Sequence, residues 1–82
     1  MTVDLANVVG LIGSAMMVAA YAYSNFAARL NFVVFNVANL VGSLLLIASL
    51  AVHFNLASMA LEIVWALIAV IGLARAMWRP AR

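Results

Sequence analysis

From Ala57 to Trp78 the chain reads ASMALEIVWALIAVIGLARAMW, a 22-residue run with one acid, Glu62, and one base, Arg75, near its end. A helix needs about 20 mostly apolar residues to cross the hydrocarbon of a bilayer, so this stretch is one membrane span. Two similar runs precede it. One extends from about Leu5 to Tyr23 and stops at Ser24-Asn25; the other extends from about Phe32 to Val52 and stops at His53-Phe54-Asn55. Three spans use about 60 residues, which leaves only termini and two tight loops in a chain of 82. The expected fold is an all-α, integral membrane three-helix bundle with spans near 5–23, 32–52 and 57–78. Residues 1–82 then form a single transmembrane domain with no soluble domain.

Composition agrees with this reading. Hydrophobic residues make up 71% of the chain and charged residues 7%, against about a quarter charged in ordinary soluble domains. There is no Cys and one His, so disulfide frameworks, iron–sulfur sites and Cys-based zinc sites are excluded, and no metal site or cofactor is expected. A pI near 10.0 accompanies a net charge of only +2. Four scattered Arg without Lys make no phosphate-tracking surface, so nucleic acid is not an expected partner. Glu62 and His53 are the only plausible acid/base groups within or beside the spans. With no nucleophile or metal cluster near them, no catalytic residue and no enzymatic activity are expected.

The first segment opens with Asp4 rather than a basic n-region, so it reads as a span and not as a signal peptide. Three spans put the first loop and the C-terminal end on one side of the membrane. Arg29 lies in that loop and Arg75, Arg79 and Arg82 lie at that end, so the positive-inside bias gives N-out, C-in. Asp4 and His53 fall on the outer side. Trp78, Phe54 and Tyr23 fall at interface depth, where amphipathic or aromatic rings anchor.

Projected at about 100° per residue, Ser58, Glu62, Trp65, Ala69, Gly72 and Ala76 form one stripe about 80° wide on the third span. Small residues let backbones approach, and a lipid-facing carboxyl is expensive, so this stripe is expected to face protein. On the second span Asn36, Asn39, Gly42 and Ser43 cluster, continued by Leu46 and Leu50. On the first, Gly10, Gly13, Ser14, Met17, Tyr21 and Ser24 cluster, with Gly10 and Ser14 as a small-x-x-x-small pair. Helix packing accounts for most of this pattern. An offset of 29 also aligns Asn7-Val8-Val9-Gly10-Leu11-Ile12-Gly13-Ser14 with Asn36-Val37-Ala38-Asn39-Leu40-Val41-Gly42-Ser43, a weak repeat that an antiparallel neighbour would invert.

Glu62 is the sharpest single feature, an ionisable group about 7.5 Å into the outer half of its span. Such a carboxyl has to pair, accept hydrogen bonds or take up a proton. It reads either as a proton-coupling or cation site, or as a structural group bonded to His53, Asn55, Ser58 or a partner chain. Trp65 lies one turn below on the same stripe and either lines a cavity or wedges helices apart. His53, at a loop position, is expected to be solvated.

Phe54-Asn55-Leu56-Ala57-Ser58 followed by Glu62-Ile63-Val64-Trp65, after the Asn39-x-x-Gly42-Ser43 helix, resembles an uncharacterised family of small bacterial three-span membrane proteins. In that family the pattern reads approximately Phe-Asn-x-Pro-Ser, three apolar residues, Glu, two apolar residues and Trp; Ala57 stands here in place of the proline. The resemblance implies three spans in the bacterial inner membrane and carries no assigned activity. A more distant likeness is to the SemiSWEET and PQ-loop half-transporters, which have three spans, N-out and C-in, and build a central pocket by homodimerising. Their Pro-Gln hallmark is absent, since Tyr21-Ala22-Tyr23-Ser24 stands there, and no functional residue is carried over.

Two functions share this architecture. One is a transporter-like homo-oligomer, a dimer by preference, whose two copies place Asn36, Asn39, Glu62 and Trp65 around a two-fold axis. The other is an accessory subunit whose stripes dock on a larger membrane complex. Either way the lipid bilayer is a partner.

Overall fold

A computed structural model describes residues 4–78. Three helices fill that range: α1 (Leu5–Phe26), α2 (Phe32–Val52) and α3 (Leu56–Trp78), with no strand among the described residues. All three are long and apolar enough to cross a membrane. At 1.5 Å per residue they are about 32 to 35 Å long, against hydrocarbon about 30 Å thick. Arg79, Pro80 and Arg82, which complete the basic C-terminal end, lie outside the described residues.

Each helix begins on an Asx side chain, which accepts hydrogen bonds from amides that have no partner within the helix. Asp4 Oδ1 accepts from the Asn7 amide at 2.9 Å. Asn31 Oδ1 accepts from Val33 and Val34, each at 3.1 Å, and Asn55 Oδ1 accepts from Ser58 at 3.0 Å. That last cap starts α3 at Leu56, one residue before the expected Ala57. α1 runs three residues beyond the expected Tyr23. Ser24 Oγ and Asn25 Nδ2 both donate back to the Tyr21 carbonyl, at 2.7 and 3.0 Å, so these polar residues are satisfied inside the helix instead of ending it. The Tyr23 hydroxyl then accepts from the Asn31 amide at 2.8 Å, tying the end of α1 to the start of α2.

α2 is the middle element. It packs against α1 on one side and α3 on the other, and among the described residues no Cα of α1 comes within 8 Å of one in α3. The α1–α2 seam closes on glycine. A Cβ on Gly13 would lie 2.6 Å from the Gly42 carbonyl oxygen, and one on Gly42 would lie 2.7 Å from Met17 Cγ and 2.9 Å from the Gly13 carbonyl oxygen. The two backbones are therefore in direct contact, and only glycine permits that approach. Gly13 and Gly42 are also the equivalent positions of the 29-residue repeat, so the repeat and the helix crossing share one register. Burial follows the same register, with Gly10 and Asn39 buried as one equivalent pair and Ala20 and Ser49 as another.

The interior is small and polar. Its buried members include Gly10, Gly13, Asn36, Asn39, Gly42, Ser43, Ser49 and Glu62, while Leu, Ile, Val and Phe side chains dominate the exposed surface. A water-soluble domain has the opposite distribution. Helices surrounded by lipid gain nothing by burying Leu against Leu, and associate through small residues and interhelical hydrogen bonds.

Candidate functional site

Capping by Asn55 sets the phase of α3, and from that start its stripe meets α2 at Glu62, Trp65, Ala69 and Gly72. Ala69 is buried and Glu62 is nine-tenths buried, while Trp65 remains partly exposed. The Trp65 indole N–H donates to Asn39 Oδ1 at 3.2 Å. Asn39 Nδ2 donates within its own helix to the Phe35 carbonyl at 3.0 Å. One amide therefore bridges the two helices. One turn towards the start of α2, Asn36 Nδ2 donates to the Phe32 carbonyl at 2.8 Å. The Asn36 amide lies against Gly72, where a Cβ would come 2.6 Å from its Oδ1.

Glu62 lies about 9 Å along the axis from the first residue of α3. Its Oε1 is buried and has no hydrogen-bond partner among the described residues. The Ser43 hydroxyl, fully buried in α2, lies beside the carboxyl and also 4.0 Å from Met17 Sδ of α1. A hydroxyl has one proton to donate, so Ser43 can serve the sulfur or the carboxyl but not both at once. All three helices thus contribute a polar or polarisable group at this level: Met17, Ser43 and Glu62.

The residues expected to pair with Glu62 are engaged elsewhere. His53 Nε2 lies 2.9 Å from Asp4 Oδ2, joining the end of α2 to the start of α1, so His53 is exposed but not merely solvated. The Asn7 amide, and after it the His53 hydrogen bond, holds the Asp4 carboxyl below the usual aspartate range. Asn55 Oδ1 is used in capping. Ser58 is exposed, which corrects its expected place on the protein-facing stripe; the buried positions of α3 begin at Glu62. Tyr21 is likewise exposed, 70%, instead of lying in the seam; the inward position of that turn is Ala20. Ser14 and Met17 are half-buried towards α2. Arg29 and Arg75 are exposed at the opposite end of the bundle from Glu62.

Three contributors went unread in the sequence. Ser49 faces Gly10, whose Cβ would lie 2.7 Å from its Oγ; the Gly42-to-Ser49 spacing of seven, two turns on one face, could have revealed it. Asn31 stands just before the Phe32 run, a recognisable capping position. The Asp4–His53 contact has no local signal, because 49 residues separate the partners. Among the described residues, no group of three or more His, Cys, Asp or Glu side chains comes together to hold a metal ion.

No curated protein and no solved structure matches the chain. These comparisons give no support to the expected likeness to half-transporters. A family model matches residues 6–81, a range that includes all three helices apart from Leu5. The chain belongs to that uncharacterised family.

Proposed function

We propose that the protein is a multi-pass protein of the bacterial inner membrane, oriented N-out and C-in, that works as a transporter-like homodimer in which Glu62 takes up and releases a proton or small cation. The observation that carries this reading is the buried Glu62 Oε1 with no hydrogen-bond partner among the described residues. Structural ion pairs inside membranes have their partners in place, and among the described residues this carboxyl has no cationic neighbour: His53 is on Asp4 and Arg29 and Arg75 are at the far end. The helix arrangement supports a dimeric reading. With α1 and α3 apart, one chain cannot enclose a hydrated path, and a second copy supplies the missing wall. Asn39 and Trp65 already bond within one chain, so the intermolecular surface is built from the outer faces of α1 and α3.

The test uses the full chain in native membranes with dicyclohexylcarbodiimide, an apolar reagent that modifies carboxyl groups in hydrocarbon surroundings. Mass spectrometry is expected to find the adduct on Glu62, reduced as pH rises and absent in Glu62→Gln. In mild detergent the protein is expected to run at the mass of two chains. Absence of labelling at any pH would return Glu62 to a packing role. Recovery only in complex with other proteins would favour the accessory-subunit reading.

A further inference from the structure

At the arginine-bearing end, the start of α2 and the end of α3 leave a cleft of about 200 Å3 lined by Phe32, Asn36, Gly72, Arg75 and Ala76. Asn36 lies about 6 Å in from the first residue of α2, and Arg75 about 4.5 Å in from the last residue of α3. That is the depth of phospholipid headgroups and their ester linkages. Among the described residues Arg75 finds no acidic side chain to pair with. Of the two acidic side chains, Asp4 is bonded to His53 at the other end, and Glu62 is 13 residues, about 20 Å, away along α3.

Three first-turn amides of α2 are already engaged, those of Val33 and Val34 with Asn31 Oδ1 and that of Phe35 with the Asn31 carbonyl. The anion-binding group is the guanidinium, whose planar fork matches a phosphate. Beside it Asn36, 8% exposed, spends its Nδ2 on the Phe32 carbonyl and keeps Oδ1 as an acceptor. The cleft thus combines a cationic fork with a neutral acceptor in the same lining. A phosphodiester whose neighbouring group donates a hydroxyl satisfies both. An ammonium-bearing headgroup would bring a second cation beside Arg75, with Arg29 in the loop at the same end, and is disfavoured by like-charge repulsion.

We infer that this cleft seats the headgroup of an anionic, hydroxyl-bearing phospholipid of the phosphatidylglycerol type, with Arg75 on the phosphate and Asn36 Oδ1 on a hydroxyl. The site is independent of Glu62 and of the transport reading. Basic clefts between spanning helices are a known means of holding acidic lipids.

The test takes the full chain in dodecyl maltoside and follows thermal unfolding while phosphatidylglycerol, phosphatidylcholine, inorganic phosphate or glycerol phosphate is added, with native mass spectrometry counting bound lipid. Phosphatidylglycerol is expected to raise Tm saturably and to remain bound as a discrete adduct. Arg75→Gln should raise the half-saturating lipid concentration about tenfold. Ala76→Leu, which fills the cleft and keeps the charge, should do the same. Arg29→Gln should weaken binding less. Equal stabilisation by phosphatidylcholine would overturn the headgroup assignment. Equal stabilisation by inorganic phosphate or glycerol phosphate would make this a free-anion site, and an undiminished response in both Arg75→Gln and Ala76→Leu would place the lipid elsewhere.

Discussion

The two sides of α2 are built on opposite principles. Towards α1 the contact is backbone on backbone, closed at Gly13 and Gly42, with only the long Ser43 hydroxyl to Met17 sulfur contact, 4.0 Å, between side chains at the crossing. Towards α3 the contact is made by side chains: an indole on an amide, an amide on a glycine, and a carboxyl with one oxygen unbonded. Where Gly13 meets Gly42 the first seam has nothing that can change protonation or rotate away, and its one titratable pair, Asp4 and His53, lies at the exposed end. The second consists largely of groups that can do one or the other. A single helix thereby holds one neighbour statically and the other through chemistry.

Breaking the static seam should have the largest effect. Gly13→Ala puts a methyl group against a carbonyl oxygen that cannot move without its helix, and should cost about 1–3 kcal/mol by thermal unfolding in detergent. Gly72→Ala meets the Asn36 side chain instead and should cost about half as much or less. Equal costs would erase the distinction between the seams. Next is Glu62→Met, which replaces a buried, incompletely bonded polar group with an apolar one of similar size and should stabilise the fold by about 1 kcal/mol. A loss would mean that the carboxyl has a stabilising partner. Trp65→Phe removes only the bond to Asn39, and about 0.6 kcal/mol should follow from that. The smallest effect concerns pH. Because Asp4 is held below its ordinary value of 3.8, its contribution is complete above that value and is lost as pH falls through the lower folded value. Asp4→Asn should flatten that acid limb in a pH series and remove the same small contribution near neutrality, small because the group is exposed to solvent.

The spans were legible because hydropathy is a property of the helix alone. The inward face of α3 was legible too, since Glu62, Trp65, Ala69 and Gly72 recur at helical spacing beside lipid-facing Ile and Val. The end of α1 was not, because Ser24 and Asn25 look like punctuation until their bonds to the Tyr21 carbonyl are seen. Tyr21 was misplaced because the seam rests on glycine and alanine; Ala20 carries no signal of its inward position beside a larger neighbour. The surroundings of Glu62 were the least legible. They depend on which helices touch, and nothing in a single chain's hydropathy states that α2 lies between α1 and α3.

That middle position also bears on how the protein is made. Since the backbones of α1 and α3 stay apart, everything α1 needs is present once α2 and His53 have been synthesised: the glycine crossing, the Tyr23–Asn31 tie and the Asp4–His53 bridge. The first two helices can enter the bilayer as a finished hairpin while the third is still in the ribosome. Helix α3, with Glu62, then docks onto an assembled template, so a nascent chain stopped after residue 55 should already resist extraction and proteolysis between α1 and α2.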